Sequence, residues 1–140
     1  MSERKGGRTM KRSGILHPEL AFQIASCGHG DLVCIADAGL PIPPETPRID
    51  LAYALGQPGF FNVLEAILPE LAIEGAVWAE EALAKSPMLA GRLETLFQQT
   101  PHERIPHEEF KKLLPDVRFV VRTGECTPYA NVLLRCGVPF

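Results

Sequence analysis

Three short polar islands interrupt otherwise apolar stretches of this 140-residue chain, and each carries side chains suited to proton transfer or hydroxyl binding. The first is Gly28-His29-Gly30-Asp31, an imidazole fenced by two glycines just before an apolar run. Glycines permit tight backbone geometry and leave room for another molecule to approach the ring. Histidine, with an unperturbed pKa of ~6.5, can take or give a proton near neutral pH. Spacing alone equally allows a turn whose histidine only faces water. The second island, Asp37-Ala38-Gly39, puts a carboxylate at the carboxyl end of a strand-like run. Ligands gather at such strand ends in open α/β sheets, although an aspartate there can also simply cap a turn. The third is Thr123-Gly124-Glu125-Cys126-Thr127-Pro128-Tyr129-Ala130-Asn131, in which Tyr129 and Asn131 offer hydrogen bonds to hydroxyl groups. A plain connecting loop is the alternative there. His107, read alone at the start of a short helix, belongs to the surface.

The elements that must carry these islands follow from periodicity. Leu16, Leu20, Ile24 and Cys27, joined by Ala21, recur at spacings of three or four, which predicts a helix opened by His17-Pro18 and closed by Gly28 in a left-handed conformation. Leu32 to Ala36 is apolar at every position, the pattern of a strand covered on both faces. The prolines between Pro41 and Pro44 then enforce a stiff loop. A short strand is expected over Ile49 to Tyr53, a helix over Phe60 to Leu68, and a buried strand over Ala72 to Trp78. Ser86-Pro87 predicts a capped helix start, with Leu89, Leu93, Leu96 and Phe97 as the apolar side. Arg104 to Pro106, Val117 to Arg122 and Val132 to Cys136 read as strands, and His107 to Leu114 as a short helix. Strands alternating with helices predict an α/β fold, specifically a single-domain, three-layer α/β/α sandwich on a mostly parallel or mixed sheet.

Composition narrows the function classes. Apolar residues make up 46% and charged residues 22%, with a formal charge of −3, so no broad positive field exists to attract nucleic acid or an acidic membrane. Basic character is confined to residues 1–10 and their immediate neighbours, an extension expected to be a disordered, frayed terminus, with residues 11–140 forming the domain. No run approaches the ~18–20 apolar residues of a membrane-spanning helix, and no apolar segment of signal-peptide type follows the basic start. An intracellular protein is therefore expected. Cys27, Cys34, Cys126 and Cys136 form no CxxC pair; Cys34 and Cys136 are expected as buried free thiols, and no zinc site is expected.

Taken together, and with Arg48-Ile49-Asp50, the islands resemble the D-ribose pyranase family in order and spacing. The residues that carry the resemblance are Gly28-His29-Gly30-Asp31, Asp37-Ala38-Gly39-Leu40-Pro41-Ile42-Pro43 and Gly124-Glu125-Cys126-Thr127-Pro128-Tyr129-Ala130-Asn131, and it covers about Lys11 to Phe140. The resemblance implies interconversion of the pyranose and furanose forms of β-D-ribose in the cytoplasm, with no cofactor and no metal. It implies that His29 is the proton donor and that Asp37, His107, Tyr129, Ala130 and Asn131 bind the sugar, His107 through the local match His107-Glu108-Glu109-Phe110-Lys111. It also implies a homo-oligomer, commonly a decamer of ring-like pentamers with sites between subunits, and no nucleic-acid or membrane partner. Two features depart from the pattern. The basic extension is one. The other is that Gly28-His29-Gly30-Asp31 and Pro18-Glu19-Leu20 also look like the sister L-fucose mutarotases. An L-fucose mutarotase and a non-catalytic sugar-binding module are the rival readings. Geometry adds one expectation: the six steps from Asp31 to Asp37 span roughly 20 Å of extended strand at ~3.3 Å per residue. If His29 and Asp37 touch one pentose, the strand is bent or the site joins two subunits.

Overall fold

Leu32–Ala36 forms the central strand of the sheet, β1, with four of its five residues buried. The computed structural model describes residues 8–140; most of the basic extension lies outside them, and residues 8–12 are exposed and belong to no helix or strand. The remaining strands are β2 (Arg48–Asp50), β3 (Ile73–Ala79), β4 (His102–Ile105), β5 (Phe119–Arg122) and β6 (Val132–Cys136), and the helices are α1 (Pro18–Ala25), α2 (Phe60–Ile67), α3 (Glu81–Lys85), α4 (Pro87–Leu96) and α5 (His107–Lys112). All six strands join one sheet in the order β2-β5-β1-β6-β3-β4. β1 is parallel to β5, and β5 to β2; β3 is parallel to β4. Only β6 runs against its neighbours, β1 and β3. The expected mixed sheet is what forms.

Alternation along the strands splits the apolar side chains between two faces. Val33 and Ile35 of β1 join Leu20 and Ile24 of α1, Phe60 and Leu64 of α2, and Leu93 of α4 in the larger core. Cys34 and Ala36 face the other way, against Phe110 of α5, Leu114 and Leu40. This second layer is thin, built from one short helix and the proline-rich loop after β1, whose Leu40 is buried. The expected three-layer arrangement is thus present. Fully buried Trp78, Phe60 and Phe119 anchor the larger core, each such ring removing of the order of 150–250 Å² from water. Cys34 and Cys136 are buried and unpaired, as anticipated.

Local chemistry differs from the sequence expectation at four points. Gly28 does not take the left-handed conformation; α1 ends earlier, at Ser26, and the positive φ falls on Gly30 (+86°). Leu16 is not part of the buried stripe but 60% exposed, because α1 begins only at Pro18, with the Leu20 N–H bound to the His17 ring. Ser86 does not cap α4; its hydroxyl donates to the Pro128 carbonyl at 2.8 Å and so ties that helix to the third polar island. The second strand ends at Asp50, where the carboxylate accepts the Ala52 N–H and the chain turns away toward Ala54 and Gln57. α3 was also not foreseen. At five residues it is too short to show periodicity.

Candidate functional site

Antiparallel pairing of β6 with β1 sets Ile35 opposite Val132, so the chain leaving β1 and the chain entering β6 meet at one end of these two central strands. Asp37 and Asn131 lie there and bond reciprocally. The Asp37 N–H donates to Asn131 Oδ1 at 2.8 Å, and Asn131 Nδ2 donates to Asp37 Oδ2 at 3.2 Å. The other carboxylate oxygen accepts the Gly39 N–H at 3.0 Å. Asn131 is only 1% exposed and its amide is spent on Asp37, and Ala130 is likewise buried. These two residues build the wall behind the carboxylate. Asp37 and Tyr129 remain partly open.

His107 reaches the same place from the start of α5. Its N–H donates to both carboxylate oxygens of Glu81, at 3.0 and 3.2 Å, which anchors the helix terminus to α3. The imidazole stands edge-on to Tyr129, centroids 5.1 Å apart, and its Nδ1 is buried with no partner among the described residues. A buried polar atom without a bond is costly. Tyr129 is the one non-glycine residue with positive φ (64°) among the described residues, a conformation that costs free energy and concentrates at ligand clamps. Asp37, Gly39, Leu40, Pro41, His107, Pro128 and Tyr129 enclose a cleft of about 240 Å³, below the ~300–1,000 Å³ of drug-sized pockets and suited to something smaller.

Burial raises the Asp37 carboxyl above the ordinary aspartate range, against the opposing hydrogen bonds from Gly39 and Asn131. Because the folded value is the higher one, the native state holds a proton that the unfolded chain has released, and stability falls as pH climbs through that window. Below the unfolded value this contribution is fully present. Comparing urea unfolding of wild type and Asp37→Asn from acid to neutral pH should therefore show wild type losing ground steadily against the variant. A difference that is flat with pH would contradict this account.

Behind the cleft, the third island is braced by Glu125. One carboxylate oxygen accepts the Phe60 N–H at 2.9 Å, at the start of α2, and the other the Thr127 hydroxyl at 2.8 Å. Burial pushes Glu125 upward, but these bonds together hold it below the ordinary glutamate range. Thr123, fully buried, donates to the Ala36 carbonyl at 2.7 Å. Ala38 N–H donates to the Glu125 carbonyl at 2.8 Å.

His29 lies elsewhere. Its turn precedes β1, at the opposite end of that strand from Asp37, and is held by Gly28 N–H to Asp31 Oδ2 (2.8 Å) and Gly30 N–H to the Cys136 carbonyl (2.8 Å). β1 pairs in unbroken register with both neighbours. No bulge interrupts it, and within one chain six extended steps, roughly 20 Å, lie between Asp31 and Asp37. The His29 side chain is 61% exposed, with Nε2 donating to Glu74 Oε2 at 3.0 Å. Sequence reasoning overlooked Glu74, which is 45 positions away; so was Glu81, 26 positions from His107. No local pattern marks either one.

A mixed sheet of this order, with a polar cleft at one end of its central strand and a histidine turn at the other, defines a single-sheet α/β architecture, and the sequence model of the RbsD / FucU transport protein family matches residues 10–139. The chain belongs to that family. It is 50% identical over 133 residues to the D-ribose pyranase of Cutibacterium acnes, covering 94% of this chain and all of that one. Its fold superposes on Bacillus subtilis RbsD, solved in complex with D-ribose, with a TM-score of 0.90 and 44% identity over 94% of this chain and all of that one. The fucose mutarotase of Streptococcus pneumoniae, solved with L-fucose, gives a TM-score of 0.76 at 20% identity over 89% of this chain and 95% of its own, a likeness of fold alone.

Proposed function

We propose that this protein is a D-ribose pyranase, an isomerase that interconverts the pyranose and furanose forms of β-D-ribose in the cytoplasm. The observation that carries the reading is the convergence of Asp37, His107 and Tyr129 on one small cleft, in a chain half identical along its length to a D-ribose pyranase. Fucose is the weaker candidate, because the fucose-bound relative shares only 20% of its residues.

The chemistry needs acid–base groups and positioning, with no redox step. The anomeric hydroxyl gives up its proton, the bond between the anomeric carbon and the ring oxygen breaks, and that oxygen is protonated. The open-chain aldehyde then recloses through a different hydroxyl, with the same proton movements reversed. His29 supplies the proton to the ring oxygen. Asp37 accepts hydrogen bonds from sugar hydroxyls, His107 Nδ1 finds its missing partner in the sugar, and Tyr129 closes the side of the cleft. Asn131 and Ala130 serve by holding Asp37 and the loop.

Because His29 and the cleft are at opposite ends of one strand, a pentose can meet both only if they come from two copies. The reading is therefore a homo-oligomer with sites between subunits, a decamer of ring-like pentamers. Two features support it. His29 is widely exposed in the single chain. A hollow beside the cleft, lined by Phe61, Met88, Leu89 and Cys126, leaves Met88 89% exposed, an apolar exposure of the kind that marks interaction surfaces.

Saturation-transfer NMR on D-ribose, with and without protein, tests the activity: exchange between pyranose and furanose signals should quicken with enzyme concentration, and L-fucose anomer exchange should respond far less. Ribose exchange unchanged by protein, or fucose exchange favoured over ribose, would reject the assignment.

A further inference from the structure

We propose that Glu74 is a positioning residue for His29, fixing which ring nitrogen of the imidazole faces the sugar; this rests on the assignment of His29 as the proton-transfer group. Three features of the chain converge on the contact. First, the pairing of β3 with β6 moves from Ile73↔Cys136 to Gly75↔Arg135, so Glu74 is the extra residue of a bulge. A bulge re-aims a side chain out of the regular alternation. Second, a Cβ on Gly137 would come within 3.2 Å of Glu74 Cβ and 3.4 Å of its Oε2. The glycine lets the carboxylate lie across the end of β6, where any larger residue would crowd it. Third, the His29 backbone is pinned on both sides, by Asp31 and by the Cys136 carbonyl, whereas its ring has a single hydrogen bond among the described residues, to Glu74.

An ionised carboxylate only accepts hydrogen bonds, so Nε2 must carry the proton of this contact. Nδ1 is then the nitrogen turned to the substrate. It bears a lone pair when the ring is neutral and a proton when the ring is charged, and either proton role runs through one defined atom. This is the logic by which a buried carboxylate orients a catalytic imidazole elsewhere. A mere surface ion pair would contribute little and leave exchange untouched. In the oligomer proposed above the neighbouring subunit covers this edge, so the pair works in a drier setting than the single chain presents.

The test compares D-ribose exchange rates and ribose affinity for wild type, Glu74→Gln, Glu74→Ala, His29→Ala and the double variant His29→Ala/Glu74→Ala, each checked for wild-type oligomer size. Glu74→Gln keeps shape but loses an obligate acceptor, and is expected to slow exchange at saturating ribose on the order of 10–100-fold. Ribose Kd should stay within about twofold, since no substrate contact is removed. The double variant should be no slower than His29→Ala, because Glu74 acts only through that ring. Nitrogen-15 spectra of the histidine side chains supply a readout independent of turnover: the His29 signals should report one tautomer in wild type and a mixture in Glu74→Gln. If His29→Ala is inactive while both Glu74 variants exchange at the wild-type rate, the positioning role is wrong and the function stands. Multiplying losses in the double variant, or unchanged nitrogen spectra, would overturn it as well. Full activity in His29→Ala would instead remove the reading on which it rests.

Discussion

Replacing His29 with alanine is expected to slow the exchange of D-ribose ring forms by about 10²–10⁴-fold, the usual contribution of a positioned general acid or base, with ribose binding largely retained. Binding should survive because the hydroxyl-binding cleft of Asp37, His107 and Tyr129 is left in place by this substitution. The reaction proceeds unaided in water, so a residual rate will persist, and the comparison must be made against the protein-free sample. The same variant probes the two-copy site. Mixed and reassembled with Asp37→Ala, which carries an intact His29 but a damaged cleft, it should recover activity. Random mixing at equal amounts restores both halves in about one quarter of sites, provided each site joins two subunits. No recovery, with mixed oligomers demonstrated by mass, would place both residues in a single chain's site and contradict the strand geometry.

Gly124→Ala is expected to be the most damaging single methyl in the third island. A Cβ at Gly124 would lie 2.3 Å from the Gln57 carbonyl oxygen and 2.6 Å from its carbon and nitrogen. The clash is with backbone, which cannot swing aside as a side-chain tip can. Around it, Gly124 N–H donates to the Pro58 carbonyl at 2.8 Å and its carbonyl accepts the Gly56 N–H at 2.6 Å, so moving the 53–58 turn breaks both bonds. Overpacking of ~1–3 kcal/mol and ~1 kcal/mol for each of the two lost bonds give a penalty of about 3–5 kcal/mol. That is a large part of the ~5–15 kcal/mol by which domains are stable, and corresponds to a drop in melting midpoint of about 10 °C. Because Glu125 ties this loop to Ala38, beside Asp37, ribose affinity should fall along with stability. Thermal unfolding and calorimetric ribose titration check both; an unchanged midpoint would show that the turn relaxes freely.

How much of this was readable in advance depends on the range of the interaction. Leu32–Ala36 forms the strand expected of it, because a strand buried on both faces writes itself as an unbroken apolar run, and Val132–Cys136 does so with its run broken only by the exposed Arg135. The start of α1 at Pro18 was equally legible, since proline in the first helical turn acts within a few residues. Ser86 misled for the opposite reason. Its neighbours are those of a helix cap, but its hydroxyl found a better partner 42 positions away. Gly28 misled similarly, once the helix ended two residues early and the left-handed residue became Gly30.

By itself the amino-acid order determined which residues could do chemistry and which stretches had to be buried, for those properties are written in side-chain type and local period. It also supplied the six-step span that set His29 apart from Asp37. Strand order decided the rest. Only because β6 runs antiparallel between β1 and β3 does Asn131 clasp Asp37 across 94 positions and Glu74 reach His29 across 45. Local periodicity encodes that a strand is buried but not which strand lies beside it. Partnership of that kind arises from how the whole sheet buries its two faces at once, and it is the sheet that assembles the cleft at one end of its central strand and the histidine turn at the other.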